Sequence, residues 1–175
     1  MSGRSALLVI DVQANMFDRS RPVADSDRLL ERLSRLIDAA RRAQLPVIFI
    51  RNCGEPGQSD EPGTPGWELH SALQVAEDDP VLDKTTGNAF ASTPLDSELK
   101  ARGVTRVVIA GLQSEYCIRD TTFGALSLGY SVTLVTDAHS TFDGDGETGR
   151  QIAAAVNAEM RDQVELLRTD TFVLK

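Results

Sequence analysis

Apolar and polar residues follow one another along the chain in blocks that predict alternating strands and helices. Four blocks dominated by apolar residues have the length of a strand, and such runs are typical of strands buried on both faces of a parallel sheet. These blocks cover residues 6–11, 46–51, 106–111 and 131–137. Two shorter runs, at residues 80–84 and 164–167, are weaker candidates for further strands.

Segments with a helical spacing of apolar residues lie between these strands. The first follows an acidic cap at 25–27 and carries an apolar stripe of Leu29, Leu30, Leu33, Leu36, Ile37 and Ala40. Three more helices are predicted: one that starts after Thr93 and ends at Gly103, one over 116–128, and one over 147–160. This alternation favours one α/β domain over residues 1–175, with a largely parallel sheet of about six strands.

Residues 52–79 form the one long segment without a clear helix or strand pattern. The segment is rich in glycine, proline and acidic residues. A connection of this length within a compact domain is usually either functional or disordered, and the sequence leaves both outcomes open.

The composition narrows the range of possible partners. The chain has 18 basic and 26 acidic residues and a formal net charge of -8, so we expect neither nucleic acid nor an anionic membrane as a partner. No secretory leader and no apolar run long enough to span a membrane is evident, which predicts a cytoplasmic protein. The two cysteines, Cys53 and Cys117, favour a reducing compartment over a disulfide framework or a zinc site.

Reactive residues at strand ends are the first candidates for chemistry, because open parallel sheets bind ligands beyond the carboxyl ends of their strands. Asp11 ends the first predicted strand and Lys84 ends the strand at 80–84. Cys117 follows the strand at 106–111, within the stretch GLQSEYCIRD. An acid, a cation and a thiol are therefore predicted to meet at one edge of the sheet.

These three side chains together can perform acyl transfer without a histidine. The nucleophile is a thiolate, and we expect Lys84 and the amino end of the helix after Cys117 to lower the pKa of the thiol. Asp11 can take the thiol proton and pass it to a leaving amine. Each residue alone is more often structural, as a buried cysteine, a turn-forming aspartate or a solvated lysine. Their joint placement at three strand ends is what favours catalysis.

Three blocks of this sequence resemble the signature regions of the isochorismatase-like cysteine hydrolases. The blocks read LLVIDVQANMF, DKTTGNAF and VIAGLQSEYCIRDTTFGALSLGYSVTLVTDAHST, in the order and spacing of that family. The resemblance covers nearly the whole chain, and the block around Cys117 is the most specific. It implies an α/β fold of the Rossmann-like kind, a three-layer α/β/α sandwich whose six-stranded parallel sheet has the order 3-2-1-4-5-6.

The resemblance also assigns roles to individual residues. It implies a catalytic triad of Asp11, Lys84 and Cys117, and a cis peptide bond between Leu112 and Gln113. It further implies an oxyanion hole made by the backbone N–H groups of Gln113 and Cys117. Relatives that keep the cysteine are amidases, whereas isochorismatase itself lacks it and cleaves a vinyl ether. Cys117 therefore favours hydrolysis of an amide or ureido C–N bond in a small molecule, through a thioester.

Two further implications concern metals and assembly. Nicotinamidases carry an Asp-x-His motif and further histidines after the second strand, where they bind a divalent metal. This chain has RNCGEPGQSDEPGTPGWELHSAL in that region, with His70 as the one histidine, which is too few ligands for a transition-metal site. We therefore expect no metal, no cofactor and a substrate other than nicotinamide. Relatives are commonly dimers or tetramers, which implies a homodimer or a homotetramer.

The pocket and the alternatives to an amidase complete the predictions. Six residues are candidates for substrate binding, although the aromatic ones would also fit a plain core: Gln13, Phe17, Trp67, Asn88, Phe90 and Tyr116. His139 is expected to make a local hydrogen bond at a strand end.

Three alternatives to an amidase stay open: a redox sensor, a catalytically silent family member, and a hydrolase of an ester or vinyl ether. A dinucleotide-binding module is disfavoured, because the turn DVQANM lacks the glycines that cradle phosphate.

Overall fold

A six-stranded parallel sheet forms the centre of the protein. The computed structural model describes residues 3–18 and 20–173, and its strands pair in parallel in the order β3-β2-β1-β4-β5-β6. The strands are β1 Arg4–Ile10, β2 Val47–Asn52, β3 Val81–Lys84, β4 Val104–Leu112, β5 Ser131–Ser140 and β6 Glu165–Leu167. This arrangement confirms the predicted sheet and its order. Residues 1, 2, 19, 174 and 175 of the predicted domain lie outside the described part.

Helices connect the strands and cover both faces of the sheet. They are α1 Ser26–Arg42, α2 Ala89–Ser92, α3 Leu95–Ala101, α4 Arg119–Ser127, α5 Gly149–Met160 and α6 Thr169–Val173. Short 3-10 turns cover Ala14–Phe17 and Ser71–Leu73, and a π-helical turn covers Ser114–Ile118. Among the described residues, no helix combines the length and the apolar character needed to cross a bilayer.

Burial on both faces explains the unbroken apolar pattern of β1. Leu8 and Ile10 belong to a core cluster with residues of α3, α4 and α5, whereas Leu7 and Val9 belong to a cluster with residues of α1. All four side chains are fully buried. Successive strand residues point to opposite faces, so a central strand covered on both sides needs apolar residues at every position. The predicted three-layer sandwich is thereby confirmed.

Helix α1 follows the predicted stripe but begins differently from the prediction. Leu29, Leu33 and Leu36 are buried against the sheet, and Leu30 is half-buried. Asp25 occupies the position before the helix, with a left-handed φ of 54° and no capping hydrogen bond from its side chain. Its carboxylate is instead paired with Arg150, so an ion pair replaces the predicted cap.

The predicted helix over 116–128 begins as a π-helical turn and continues as α4. The N–H of Ile118 donates to the carbonyl oxygen of Gln113 at 3.1 Å, a span of five residues that widens the turn. Cys117 lies inside this wider turn rather than in a regular helix. The sequence pattern alone could not distinguish the two, since both have similar apolar spacing.

Residues 52–79 fold over the carboxyl edge of the sheet. Gln13 forms an antiparallel bridge with Leu69, and the N–H of His70 donates to the carbonyl of Val12 at 2.9 Å. Ion pairs add to these contacts, as between Arg41 of α1 and Asp79 at the end of the segment. The segment thus carries defined contacts to the strand ends, where a functional site is expected.

Candidate active site

Three strands bring the predicted triad together at the carboxyl edge of the sheet. Asp11 follows β1, Lys84 is the last residue of β3, and Cys117 lies in the π-helical turn after β4. A cleft of about 420 Å³ opens over Asp11 and Cys117. Its walls are mostly polar or aromatic and include Gln13, Asn52, Asp60, Gln113, Tyr116 and Phe142.

The Lys84 ammonium group connects the other two members of the triad. Its Nζ lies 2.9 Å from Asp11 Oδ2 and 3.2 Å from Cys117 Sγ, and it donates a third hydrogen bond to Asn52 Oδ1 at 3.1 Å. Lys84 is fully buried, so these three acceptors replace the water that an ammonium group needs. Burial opposes the charge, but the interactions with Asp11 and Cys117 outweigh it and raise the pKa of Lys84. The residue therefore stays a cation at neutral pH.

Asp11 is positioned by its backbone as a buried proton acceptor. Its φ of 52° lies in the left-handed region, which aspartate tolerates better than bulkier residues do. Oδ2 meets Lys84, while the buried Oδ1 has no hydrogen-bond partner of regular geometry among the described residues. Burial raises the pKa of Asp11, although Lys84 acts against this. A buried oxygen that is unpartnered and more basic than usual is suited to accept a proton.

The thiol of Cys117 is held in its protonated form. Burial, followed by the negative charge of Asp11, raises its pKa to about 12, and Lys84 offsets only part of this rise. The predicted effect of Lys84 is confirmed, because its charge and its hydrogen bond both lower the pKa of the thiol. Burial and the Asp11 carboxylate outweigh this effect, so the net shift of the pKa is upward. The effect of the helix end stays a prediction.

The chain enters the nucleophile turn through the predicted cis peptide bond between Leu112 and Gln113. Gly111, just before it, has a φ of 124°. A Cβ atom at this position would lie 2.1 Å from the carbonyl oxygen of Ile10 on the neighbouring strand. Glycine is therefore required here, both for the backbone conformation and for the close approach of β4 to β1.

A buried chain of hydrogen bonds supports the nucleophile turn from behind. Ser114 Oγ and His139 Nδ1 are 2.8 Å apart, and His139 Nε2 lies 2.9 Å from Asn157 Oδ1. Because Asn157 Nδ2 donates to the Thr136 carbonyl, its Oδ1 accepts from Nε2–H, which leaves Nδ1 to accept from the Ser114 hydroxyl. Burial lowers the pKa of His139 and so favours the neutral ring. His139 thus makes the predicted strand-end hydrogen bond.

Two of the six predicted substrate-binding residues line the cleft. Gln13 is almost fully buried, and its Nε2 donates to the carbonyls of Asn52 and Trp67, both at 2.9 Å. Its Oε1 accepts from the N–H of Asn52 at 2.8 Å, so Gln13 mainly braces the cleft wall. Tyr116, next to the nucleophile, is 59 % exposed and is the better placed of the two to contact a ligand.

Phe17 and Phe90 do not line the cleft. The Phe17 ring packs on His70, with 4.8 Å between ring centroids, and Phe90 stacks on Tyr130 at 5.7 Å. Phe17 packs against the core cluster that contains Leu7 and Val9, and Phe90 packs against the cluster that contains Leu8 and Ile10. They are plain core residues, which the sequence analysis had held equally open.

Trp67 and Asn88 also lie outside the cleft lining. The Trp67 ring stacks against the Arg51 guanidinium, whose carbon lies 3.5 Å from the ring centroid. Asn88 caps α2, since its Oδ1 accepts from the N–H of Phe90 at 3.0 Å. Trp67 is a candidate because it lies in the long segment, and Asn88 because it follows Lys84, whereas their side chains contact Arg51 and cap α2, respectively.

Asn52 and Asp60 are polar residues of the cleft that the sequence analysis missed. Asn52 is the last residue of β2 and contacts Lys84, so the strand-end reasoning that found Asp11 could have found it as well. Asp60 lies in the long segment, and its Oδ2 accepts from Asn52 Nδ2 at 2.7 Å. No local sequence pattern marks Asp60, because only the path of the loop brings it to the cleft.

The side chains around the cleft do not fit a transition-metal site. The described part of the chain contains no group of three or more histidine, cysteine, aspartate or glutamate residues placed to hold a metal ion. His70 is engaged elsewhere, because its Nδ1 accepts from the N–H of Ala72 at 3.2 Å and its ring packs on Phe17. Asn52 ends β2 and Cys53 and Gly54 follow it, and of these three the side chain of Asn52 contacts the triad.

Comparison with known protein families assigns the chain. The family model described as the isochorismatase domain matches residues 5–162, a range that contains the whole triad. This chain belongs to the isochorismatase family. The resemblance inferred from the three sequence blocks is thereby confirmed.

Individual relatives extend this comparison. A streptothricin hydrolase from Streptomyces noursei is 43 % identical over 138 residues, which cover 79 % of this isochorismatase-family chain and 55 % of the relative. The chain thus spans about half the length of the first curated relatives it matches. An Arabidopsis thaliana protein named probable inactive nicotinamidase is 36 % identical over 155 residues, covering 77 % of this chain and 79 % of that protein.

The fold is shared with solved structures of the family. A crystal structure of an isochorismatase from Pseudomonas putida matches this isochorismatase-family chain with a TM-score of 0.91 and 28 % identity. The match covers 96 % of this chain and 89 % of that one. The sheet order and the surrounding helices therefore follow the isochorismatase fold.

Proposed function

We propose that this chain is a cysteine amidohydrolase, which cleaves an amide or ureido C–N bond of a small molecule without a metal or a cofactor. The observation that carries the proposal is the position of Lys84 Nζ, 2.9 Å from Asp11 Oδ2 and 3.2 Å from Cys117 Sγ, behind an open cleft that Asp11 and Cys117 line. A nucleophile, a proton acceptor and a fixed cation thus share one site. Relatives named streptothricin hydrolase support the same class of reaction.

The first step joins proton transfer to nucleophilic attack. With a pKa of about 12, Cys117 keeps its proton at rest, and the unpartnered Oδ1 of Asp11 accepts that proton as Sγ attacks the carbonyl carbon. Lys84 donates to Sγ throughout, which stabilises the negative charge that develops on sulfur. The carbonyl π electrons move to oxygen, and a tetrahedral oxyanion forms. Backbone N–H groups of Gln113 and Cys117 stabilise this oxyanion.

The second and third steps return the site to its starting state. The protonated Asp11 gives its proton to the leaving nitrogen, the C–N bond breaks, and ammonia or an amine departs from a Cys117 thioester. Asp11 then takes a proton from water, whose oxygen attacks the thioester carbon. The second tetrahedral intermediate collapses, the C–S bond breaks, and the sulfur recovers the proton from Asp11. The net reaction adds one water across the C–N bond.

A second candidate is a catalytically silent family member. The 36 % identity to a protein named probable inactive nicotinamidase favours it. Against it, the triad in this chain has its three side chains in mutual contact. A redox sensor is less consistent with the site, because oxidation of cysteine depends on thiolate character, whereas the pKa of Cys117 is raised. A hydrolase of an ester or vinyl ether stays open as a variation in substrate.

A trapping experiment tests the proposal. The protein is incubated with a panel of small amides, ureido compounds and esters, quenched in acid, and analysed by mass spectrometry, while released ammonia is measured in parallel. We expect an acyl adduct on Cys117 and loss of turnover in Cys117→Ala, with Cys53→Ala as the matched cysteine control that keeps activity. Full hydrolysis by Cys117→Ala, Asp11→Asn and Lys84→Ala would rule out the triad. Sulfenylation of Cys117 without any acylation would favour the redox sensor.

A further inference from the structure

The charges around the cleft do not cancel. Asp11 and Asp60 are the acidic residues of its lining, and the buried cation behind it is Lys84. Lys84 is paired with Asp11 at 2.9 Å, and Cys117 is protonated at rest. The triad as a whole is therefore neutral, and among the described residues the Asp60 carboxylate leaves the lining of the cleft with one negative charge.

Asp60 is held in place by contacts that are independent of any ligand. Its Oδ2 accepts from Asn52 Nδ2 at 2.7 Å, and its backbone carbonyl accepts from the N–H of Gly54 at 2.9 Å. A Cβ atom on residue 54 would lie 2.1 Å from Asp60 Oδ1, so the absence of a side chain at Gly54 makes room for the carboxylate. The carboxylate is thus fixed by a neutral amide and a glycine.

No cation of the described chain neutralises Asp60. It forms no ion pair among the described residues, and two arginines of the surrounding segments are engaged elsewhere. Arg51 stacks on Trp67 and pairs with Asp83 at 2.8 Å. Arg21 lies over the Phe142 ring at 5.7 Å and lines a neighbouring groove rather than the cleft. A positively charged ligand group would therefore be the natural partner of Asp60.

We propose that Asp60 forms a cation subsite beside the nucleophile, which selects substrates that carry an ammonium or guanidinium group next to the scissile bond. This specificity deepens the function proposed above and rests on it. The Asp60 carboxylate attracts the cationic group of the substrate by its charge. Asn52 binds both Asp60 and Lys84, and it thereby fixes the distance between the bound cationic group and the reacting carbon. The charge of Asp60 reaches the triad, because it contributes to the raised pKa of Asp11.

A labelling experiment measures this subsite without requiring turnover. The probes are three methanethiosulfonates: the cationic 2-aminoethyl and the anionic 2-sulfonatoethyl reagents, which have the same ethyl spacer, and the smaller neutral methyl reagent. Each transfers its thio group to Cys117 and releases methanesulfinate, and peptide mass spectrometry separates Cys117 from Cys53. The readout is the ratio of the cationic to the anionic labelling rate at Cys117, with the neutral reagent reporting general access to the thiol.

The variant Asp60→Asn removes the charge and keeps the shape. We expect the rate ratio to fall on the order of tenfold, since the charge attracts one reagent and repels the other. The matched control Asp78→Asn, an exposed residue of the same long segment, removes the same charge outside the cleft and should change the ratio by less than about twofold. An unchanged ratio in Asp60→Asn, with the neutral rate preserved, would overturn the cation subsite.

Hydrolysis of a matched substrate pair then separates the two proposals. The amides 3-aminopropanamide and butanamide are nearly isosteric and differ in charge. We expect a higher kcat/KM for the cationic amide in the natural protein, and loss of that preference in Asp60→Asn. If neither amide nor the wider panel is hydrolysed while the labelling ratio still depends on Asp60, the amidohydrolase proposal fails and the cation subsite stands. Equal preference in both proteins would contradict the assigned specificity.

Discussion

The Cys117 thiol, the proposed nucleophile, has its protonation set by burial and by one neighbouring carboxylate. Asp11 contributes to the raised pKa of the thiol and offers an unpartnered oxygen close to it. The two effects are complementary, because the Asp11 carboxylate that favours the protonated thiol is also the group proposed to accept its proton. Lys84 pairs with Asp11 and donates a hydrogen bond to the sulfur. The proposed chemistry thus depends on three neighbouring side chains.

Asp11→Asn separates proton transfer from thiol reactivity. We expect amide hydrolysis to fall by about 10²–10⁴-fold, because asparagine cannot accept the proton. Alkylation of Cys117 by iodoacetamide should become faster in the same variant, because removal of the Asp11 charge lowers the pKa of the thiol. The measurement is the alkylation rate against pH, with Asp78→Asn as the charge-matched control. Slower alkylation in Asp11→Asn would contradict the role given to Asp11.

The pH dependence of hydrolysis reports the same residue. Asp11 must be ionised to accept the proton, and its pKa is raised by burial. Activity should therefore fall as the pH falls through this raised pKa, at a higher pH than an ordinary aspartate would give. The quantity to measure is kcat/KM between about pH 4 and pH 9. A profile that instead rises tenfold per pH unit up to pH 9 would show that a preformed thiolate limits the rate.

At the scale of elements, two features position Cys117: the close approach of β1 to β4, and the turn that follows β4. Gly111 lets the two strands approach at the point where β4 ends. Beyond the turn, the hydrogen bonds from Ser114 through His139 to Asn157 tie it to β5 and α5. The side chain of Cys117 is therefore oriented by backbone pairing on one side and by a buried polar chain on the other.

Gly111→Ala tests the close approach of these strands. A Cβ atom would meet the Ile10 carbonyl at 2.1 Å, so we expect a loss of more than about 4 kcal/mol in the free energy of unfolding. Gly129→Ala is the matched control, because Gly129 has a positive φ of 86° but open space around its Cα, and it should cost about 1 kcal/mol. Urea unfolding measures both, and equal losses would show that backbone conformation alone sets the cost.

At the scale of the whole molecule, the order of the strands brings distant residues together. Asp11, Asn52, Lys84 and Cys117 come from four different strand ends. The long segment 52–79 then brings Asp60 to the cleft at the carboxyl edge of the sheet. The predicted homodimer or homotetramer also belongs to this scale and stays a prediction, which light scattering of the purified protein can check.

The proposed activity is predicted to be insensitive to chelation of metal ions. The ligand set around the cleft does not fit a transition metal, so dialysis against EDTA should leave kcat/KM unchanged within about twofold. Reductant is kept present throughout, so that any loss cannot come from oxidation of Cys117. Activity that disappears on dialysis and returns with added zinc would show that the protein depends on a metal.

Much of the fold and the triad could be predicted from sequence, for an identifiable reason. Central strands such as β1 need apolar residues at every position, and reactive polar residues stand where the predicted strands end, as at Asp11 after β1 and Lys84 at the end of β3. The substrate-binding predictions were weaker, because an aromatic residue such as Phe90 fits a core and a pocket equally well by composition. The direction of the Phe90 side chain depends on the neighbour it packs against, which is Tyr130.

The sequence by itself determined the parallel sheet, its helices and the three reactive residues, because periodicity and strand ends are local properties of the chain. Only the tertiary structure decided the protonation of Cys117 and the place of Asp60. Both depend on burial and on charges from distant segments: the thiol is raised to a pKa of about 12 by burial and Asp11, and Asp60 is brought to the cleft by the path of a long loop. Electrostatic energies depend on distance in space, and sequence separation does not specify that distance.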